Sequence, residues 1–243
     1  RPTVQWELEY RDPFNVQPGV ILSPIDQERA RFGSISSFLD FDFRDDLLNA
    51  TKGSFHRLAF SVYNTGLASD ADFWQFYIRN SFYVPIYQSF RSILSARTGF
   101  SGPYRTTKNQ GITEIPIEKR FRVGGSDSLR GFGRNCVGGL SSSAAENCSD
   151  TVLNAAPGGN SMFNYMLDFL IPLFKGFDLA VFTDGGDAYL SNKAFAPLHI
   201  RTTAGVGLRY NTFFGPLRLD YGIKLDRRDG ESLGEIHFAV GEF

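Results

Sequence analysis

One cation in this chain sits in a setting that suggests a specific partner. Residues Phe121-Arg122-Val123-Gly124-Gly125-Ser126-Asp127-Ser128-Leu129-Arg130-Gly131-Phe132 make a glycine-rich turn and then place a single guanidinium, Arg130, between apolar anchors. Later, Phe182-Thr183-Asp184-Gly185-Gly186 sets a carboxylate in an apolar, strand-like context, and Asp168 supplies another. An arginine enclosed by protein needs a carboxylate, and its planar fork grips one through two parallel hydrogen bonds. Asp184 and Asp168 have that chemistry. The competing reading, a loop arginine in open solvent, needs neither.

Catalytic chemistry has less support. His56, His199 and His237 lie in separate segments, with neither metal-ligand spacing nor a triad arrangement, and His56 and His237 read as wall residues of a sheet. Gly124-Gly125 lacks the lysine and following helix of a phosphate loop. Strand carboxylates such as Asp220 and Asp226 suit a charged interior better than an acid/base pair. Cys136 and Cys148 share a Gly/Ser-rich stretch; a pair closing a small loop suits an oxidising compartment, and the further ligands of a metal site are missing. The sequence therefore suggests no enzyme, no cofactor and no metal.

The elements that must position these groups are strands. With 25 Lys+Arg against 26 Asp+Glu, the chain lacks the bulk positive charge of a nucleic-acid binder. Its 15% aromatic content and 25 glycines favour strands and turns. Phe169–Phe174 is the longest apolar run, far short of the roughly 18 residues of a membrane-spanning helix. That excludes helical membrane proteins but not membrane barrels, whose alternation hides their hydrophobicity from any averaging window.

Period-two alternation is clearest where Leu217, Leu219, Tyr221, Ile223 and Leu225 alternate with Arg218, Asp220, Gly222, Lys224 and Asp226. Nine further segments follow suit: Thr3–Tyr10, Phe32–Arg44, Ser54–Thr65, Phe73–Ile86, Phe90–Gly102, Ser161–Leu173, Phe177–Asp184, Thr202–Tyr210 and Glu235–Phe243. Connections near 12–31, 66–72, 103–160, 185–201 and 227–234 run long. Those near 45–53, 87–89, 174–176 and 211–216 run short. Outer-membrane barrels sort their turns and loops this way, whereas a soluble β-sandwich has no reason to. Tyr83, Tyr87, Phe90, Phe174, Phe177, Tyr210, Phe213 and Phe214 near strand ends suit interfacial girdles, and Pro85 and Pro172 sit where a lost ladder donor is tolerated. The fold class is all-β, a transmembrane antiparallel β-barrel with about ten strands visible.

In these motifs the chain resembles the outer-membrane assembly barrels of the BamA/TamA type. In that family a long extracellular loop folds into the lumen, and its Arg-Gly-Phe/Tyr tip meets a Phe-x-Asp-x-Gly strand motif. Leu129, Arg130, Gly131 and Phe132 match the tip; Phe182, Asp184 and Gly186 match the strand; Asp168 occupies the place of a carboxylate on the intervening strand. Arg44-Asp45-Asp46-Leu47-Leu48-Asn49-Ala50-Thr51-Lys52-Gly53 is similar to the family's RDxxxxPTxG periplasmic turn, with Ala50 where proline is common. The 204–210 and 215–221 segments are similar to its penultimate hairpin.

The resemblance implies an integral protein of the outer membrane of a Gram-negative bacterium or derived organelle. It would insert or translocate unfolded outer-membrane or secreted polypeptides through a laterally opening seam. The bilayer, accessory assembly subunits and the rest of the barrel would be its partners. A secretion barrel for one specific protein and a passive porin or structural barrel are the alternatives. The family's barrel has sixteen strands behind POTRA domains, so residues 1–243 read as its C-terminal portion, with 103–160 as the lumen-entering loop and no POTRA segment. The last strand would form one lip of the seam through Ile236, Phe238, Val240 and Phe243. Family members end on an aromatic residue in register with apolar neighbours; here Ile236, Phe238 and Val240 fall on the other parity from Phe243, so one further aromatic residue is expected after it.

Overall fold

The computed structural model describes residues 1–11, 29–87, 90–104, 115–139, 156–174, 176–197, 199–213 and 215–241. Ten strands follow one another: β1 (Pro2–Arg11), β2 (Ala30–Asp42), β3 (Gly53–Tyr63), β4 (Phe73–Tyr87), β5 (Phe90–Pro103), β6 (Ser161–Phe174), β7 (Phe177–Tyr189), β8 (Arg201–Thr212), β9 (Gly215–Lys224) and β10 (Gly234–Val240). Each pairs antiparallel with its sequence neighbours, giving one ten-stranded sheet in the order β1 to β10. Among the described residues, β1 and β10 are its two edges.

The two faces have opposite polarity, and the polar one is covered. On β9, Arg218, Asp220 and Lys224 are buried, while Leu219 and Tyr221 are 51% and 41% exposed. Val206 and Leu208 on β8, Val181 on β7, Phe169 on β6 and Leu94 on β5 likewise point their apolar side chains outward. A water-soluble sheet buries its apolar face; this one buries ions and leaves an apolar band exposed, as a wall surrounded by lipid does.

The short hairpins share one end of the sheet, as the strand order requires, and Pro85 and Pro172 each sit beside one. At both the ladder slips, between Pro85 and Tyr87 and between Pro172 and Phe174. A proline has no amide to donate, so a bulge is the way a strand accommodates it. Tyr87, Phe90, Phe174, Tyr210 and Phe213 lie exposed at this end, and the Phe177 ring packs between those of Phe174 and Tyr210, 4.7 and 4.5 Å away. Tyr83 does not belong to this belt. It is buried on the inner face with Ile93, Met166, Leu170 and Ala180, because its position on β4 has the inward parity. Phe214 lies outside the described residues.

Ala50 joins that same buried cluster and is fully buried. The 43–52 turn is thus not a free hairpin: it folds onto the inner face, and Asn49 Nδ2 donates to the carbonyl of Thr212 at 3.3 Å. Asp45 holds the turn's shape by accepting from the Thr51 hydroxyl and from the amides of Thr51 (2.8 Å) and Lys52 (3.1 Å). The Thr51 hydroxyl and these amides hold its carboxyl well below the usual carboxylate range.

Strand limits differ from the periodicity by one to a few residues at most ends. The largest difference is at β7, which runs to Tyr189 where the sequence pattern ends at Asp184. Gly185 and Gly186 stand at the start of the 185–201 connection in the sequence pattern, but they are wall positions of β7 kept free of side chains. A Cβ at Gly186 would lie 2.7 Å from the Phe163 carbonyl and 3.0 Å from the Leu129 side chain. Packing, not turning, selects glycine there.

Two outcomes are expected. Val206→Arg, mid-strand on the apolar band, lowers folding free energy in lipid vesicles by about 2–4 kcal/mol in a urea titration, while Asp229→Arg in the 225–233 loop changes it little. Asp45→Asn speeds amide exchange at Thr51 and Lys52. In the wild type the same loosening comes only as pH falls below the ordinary carboxylate range, since a depressed value keeps the stabilising charge at all higher pH.

Candidate functional site

Residues 115–139 and 156–160 of the long connection lie on the inner face of β5–β9. Their core is a narrow hairpin, in which Val123 bridges Val137 and Phe121 bridges Gly159. At its tip the Gly125 amide donates to the carbonyls of Leu129 (3.1 Å) and Phe132 (3.0 Å), and Ser128 Oγ accepts from the Gly124 amide at 2.7 Å. This tight turn drives Leu129, Arg130 and Phe132 inward. Leu129 and Phe132 pack with Val123, Val137, Met162 and Ala188, which anchors the tip to β6 and β7.

Arg130 is fully buried. Its Nε and Nη2 bind the two carboxylate oxygens of Asp184 at 2.9 and 2.6 Å, and its backbone amide donates to the same group at 3.1 Å. Nη2 and Nη1 also bind the two oxygens of Asp168, at 2.5 and 3.2 Å. The guanidinium lies over the ring of Phe182, 3.5 Å from its centroid. Register explains the convergence: Asp168 stands opposite Phe182, and Asp184 opposite Thr203, whose hydroxyl donates to Asp184 at 3.3 Å. Both carboxylates thus face inward from adjacent strands, one rung apart.

The network extends beyond the motif residues. Asp220 on β9 lies 3.8 Å from Arg130 Nη1. Arg209 on β8 donates to Asp220 at 2.5 Å and to Asp168 at 3.3 Å. Arg218 stands opposite Arg209 and donates to Asp127 of the loop at 2.7 Å. Burial works against the Arg130 cation, yet Asp168 and Asp184 outweigh it and hold its proton well above the usual arginine range. The arrangement is a clamp: it fixes a loop to four strands through ions that cannot separate without stranding a charge.

Two close approaches let the tip reach the far wall. A Cβ on Gly222 would fall 2.4 Å from the Arg130 carbonyl, and one on Gly131 would fall 2.6 Å from the Thr203 side chain. Phe132 then lies between cations, with Arg201 and Lys224 4.6 and 4.9 Å from its ring centroid. His237 on β10 is no ordinary wall residue: its Nε2 is 3.2 Å from the Phe132 carbonyl. Nothing in the spacing of His237 signals this contact, because the partner is a backbone atom 105 residues away.

Of the other residues singled out, Ile236, Phe238 and Val240 share the outward face of the edge strand β10, 70%, 69% and 56% exposed. Phe243 and Cys148 lie outside the described residues. Cys136 is buried, and among the described residues no cysteine is free, so a Cys136–Cys148 bridge stays a proposal from the sequence. His56 contacts Asn80 and Ser54 on the wall, remote from the clamp.

An antiparallel wall with an apolar outer face, its inner face filled by a loop clamped through buried ions, defines an integral outer-membrane β-barrel chain. The chain belongs to the Omp85 superfamily, whose domain model matches residues 25–243. Over 139 residues it is 32% identical to the outer membrane protein assembly factor BamA of Nitratidesulfovibrio vulgaris strain Hildenborough, covering 55% of this chain and 16% of that protein. The fold is similar to the crystal structure of BamA from Haemophilus ducreyi lacking POTRA domains 1–3, with a TM-score of 0.71, 19% identity, and coverage of 99% of this chain and 51% of that one. The chain thus spans about half of the solved relative and a smaller part of the curated one.

If the clamp holds the loop, Arg130→Ala destabilises the folded barrel by about 3–5 kcal/mol, since removing one partner leaves buried carboxylates uncompensated. Arg130→Lys keeps the charge but loses the fork and falls between. A double-mutant cycle of Arg130→Gln with Asp184→Asn, read by urea unfolding in vesicles, should show strong coupling. Additive losses would argue against a direct clamp.

Proposed function

We propose that this chain is part of a barrel that inserts or translocates outer-membrane polypeptides by opening sideways at the seam beside β10. Family membership and similarity to BamA barrels support an assembly role. The observation that carries the reading is the contact of the loop tip with β10, an edge strand among the described residues: the segment locked by Arg130 also holds β10 through the Phe132 carbonyl and His237. Loop position and seam strand are therefore mechanically coupled.

In this reading the whole barrel has more strands than the ten of this chain, and residues 1–243 contribute its C-terminal part. β10 is a short edge with outward apolar residues and, at its end, Gly241 at φ +90°. A short edge strand pairs weakly, and its backbone donors and acceptors can template an incoming strand. Opening needs no covalent step and no bound cofactor. Its driving force is the backbone pairing and apolar burial that the substrate strand gains. The filled inner face favours this role over a passive pore, because the loop occupies the space through which solutes would pass.

The test uses the full-length protein in its native host. A photo-crosslinking residue at Glu235 or Ala239 on β10 should capture nascent outer-membrane polypeptides, and the same residue at Ser92 on β5 should not. Arg130→Lys and His237→Ala should each slow assembly of a model porin several-fold while the barrel remains folded. Unchanged assembly in both variants, with no capture at β10, would remove the seam reading.

A further inference from the structure

The outward face of β3 and β4 carries a polar cluster in the middle of apolar side chains. By parity His56 shares its face with Phe60, and Asn80 shares its face with Phe82, both exposed on the apolar band. Phe41 of β2 stands opposite His56 on one side, and Asn80 stands opposite it on the other. His56 Nδ1 lies 2.8 Å from Asn80 Oδ1, and its Nε2 lies 3.0 Å from Ser54 Oγ. The imidazole is also held between two rings that meet it edge to face, Phe82 at 5.4 Å and Phe43 at 6.4 Å. These contacts fix a polar spot on a wall that lipid surrounds.

The spot lacks an acceptor. Asn80 Oδ1 only accepts, so His56 Nδ1 carries the hydrogen of that bond, and Nε2 of the neutral ring accepts from the Ser54 hydroxyl. Both ring nitrogens are thereby used. The amide nitrogen of Asn80 keeps two N–H groups with no acceptor among the described residues. Hydrocarbon offers none, and a donor that faces it alone is costly. A phospholipid headgroup carries acceptors in its phosphate and ester oxygens. The position agrees: Ser54 and His56 open β3 directly after the 43–52 turn, at the short-hairpin end that outer-membrane barrels direct to the periplasm. Lys52, exposed in that turn and in no ion pair among the described residues, adds the positive charge that a phosphate complements.

We propose that this spot is a binding site for a phospholipid of the periplasmic leaflet, whose phosphate accepts from the Asn80 amide and pairs with the Lys52 ammonium. Hydrogen bonds to a charged acceptor are stronger than those to a neutral one, which favours the phosphate over an ester carbonyl. His56 is a positioning residue: by claiming the amide oxygen of Asn80 it leaves the nitrogen side for the lipid. The exposed rings of Phe43 and Phe82 flank the acyl chains. A headgroup held here fixes the depth of β3 and β4 in the bilayer, on a part of the wall remote from β10. The proposal is independent of the assembly reading, since lipid retention can fail while assembly persists, and the reverse.

The experiment adds lipid to the intact protein in maltoside micelles and counts the retained molecules by native mass spectrometry. The probes are dioleoyl phosphatidylglycerol and, as a phosphate-free reference with the same chains, dioleoylglycerol. Preferential retention of the phospholipid is expected. Asn80→Leu should weaken that retention about tenfold, the loss of a hydrogen bond to a charged group. Leucine suits a lipid-facing position, so the variant should fold, and heat-modifiable gel mobility verifies it. Asn80→Leu decides; if it does not fold, Lys52→Gln, in the exposed turn, decides in its place and should weaken retention severalfold. Equal retention of the two lipids by the wild type, or a folded deciding variant that retains the phospholipid as the wild type does, would overturn the site.

Discussion

A buried guanidinium cannot be left alone, and much of the inner face follows from that constraint. Arg130 is enclosed completely and carries its charge where water does not reach. Taking it out of water is costly unless the partners are close, well oriented and numerous. Asp184 and Asp168 meet those terms from adjacent strands, and Arg209 and Asp220 extend the compensation to β8 and β9. Such an ion set is a locating device: it tolerates one placement of the loop tip and penalises others by stranding charges. Four strands and one loop thereby share a single position.

That arrangement exists only because the sheet is inverted relative to a soluble one. Lipid solvates the apolar face, which frees the other face to hold ions, glycines and a loop instead of a hydrocarbon core. The loop performs the filling that packed side chains perform elsewhere. It is anchored by a small apolar cluster around Leu129 and Phe132 and aligned by charge. At the opposite end the 43–52 turn makes a comparable inward fold through Ala50, so both loop and turn contribute to the interior. Contact between the Phe132 carbonyl and His237 links this interior to β10, an edge of the sheet among the described residues.

The strands were largely legible in the chain because alternation is a local property: a residue's face follows from its parity, and the apolar band from Leu219 and Tyr221 to Val206 and Leu208 could be read directly. Arg130, Asp184 and Asp168 could be singled out as chemistry without a place. Tyr83 was misplaced because an aromatic at a strand end looks the same whether it faces lipid or the interior. Gly185 and Gly186 fell at the start of a connection for a similar reason: glycine marks a need for space without saying whether the backbone or a neighbour needs it.

What the sequence determined by itself, then, is the period of each strand, the sorting of loops, and the presence of a cation that must find acids. Those depend on residue type and on near neighbours along the chain. Tertiary structure alone decided the register that brings Asp168 and Asp184 one rung apart, the recruitment of Arg209 and Asp220, the tie from Phe132 to His237, and the direct facing of Arg79 and Arg97 on β4 and β5. Each of these depends on distances between residues far apart in the chain, set by strand pairing and by the path of one long loop.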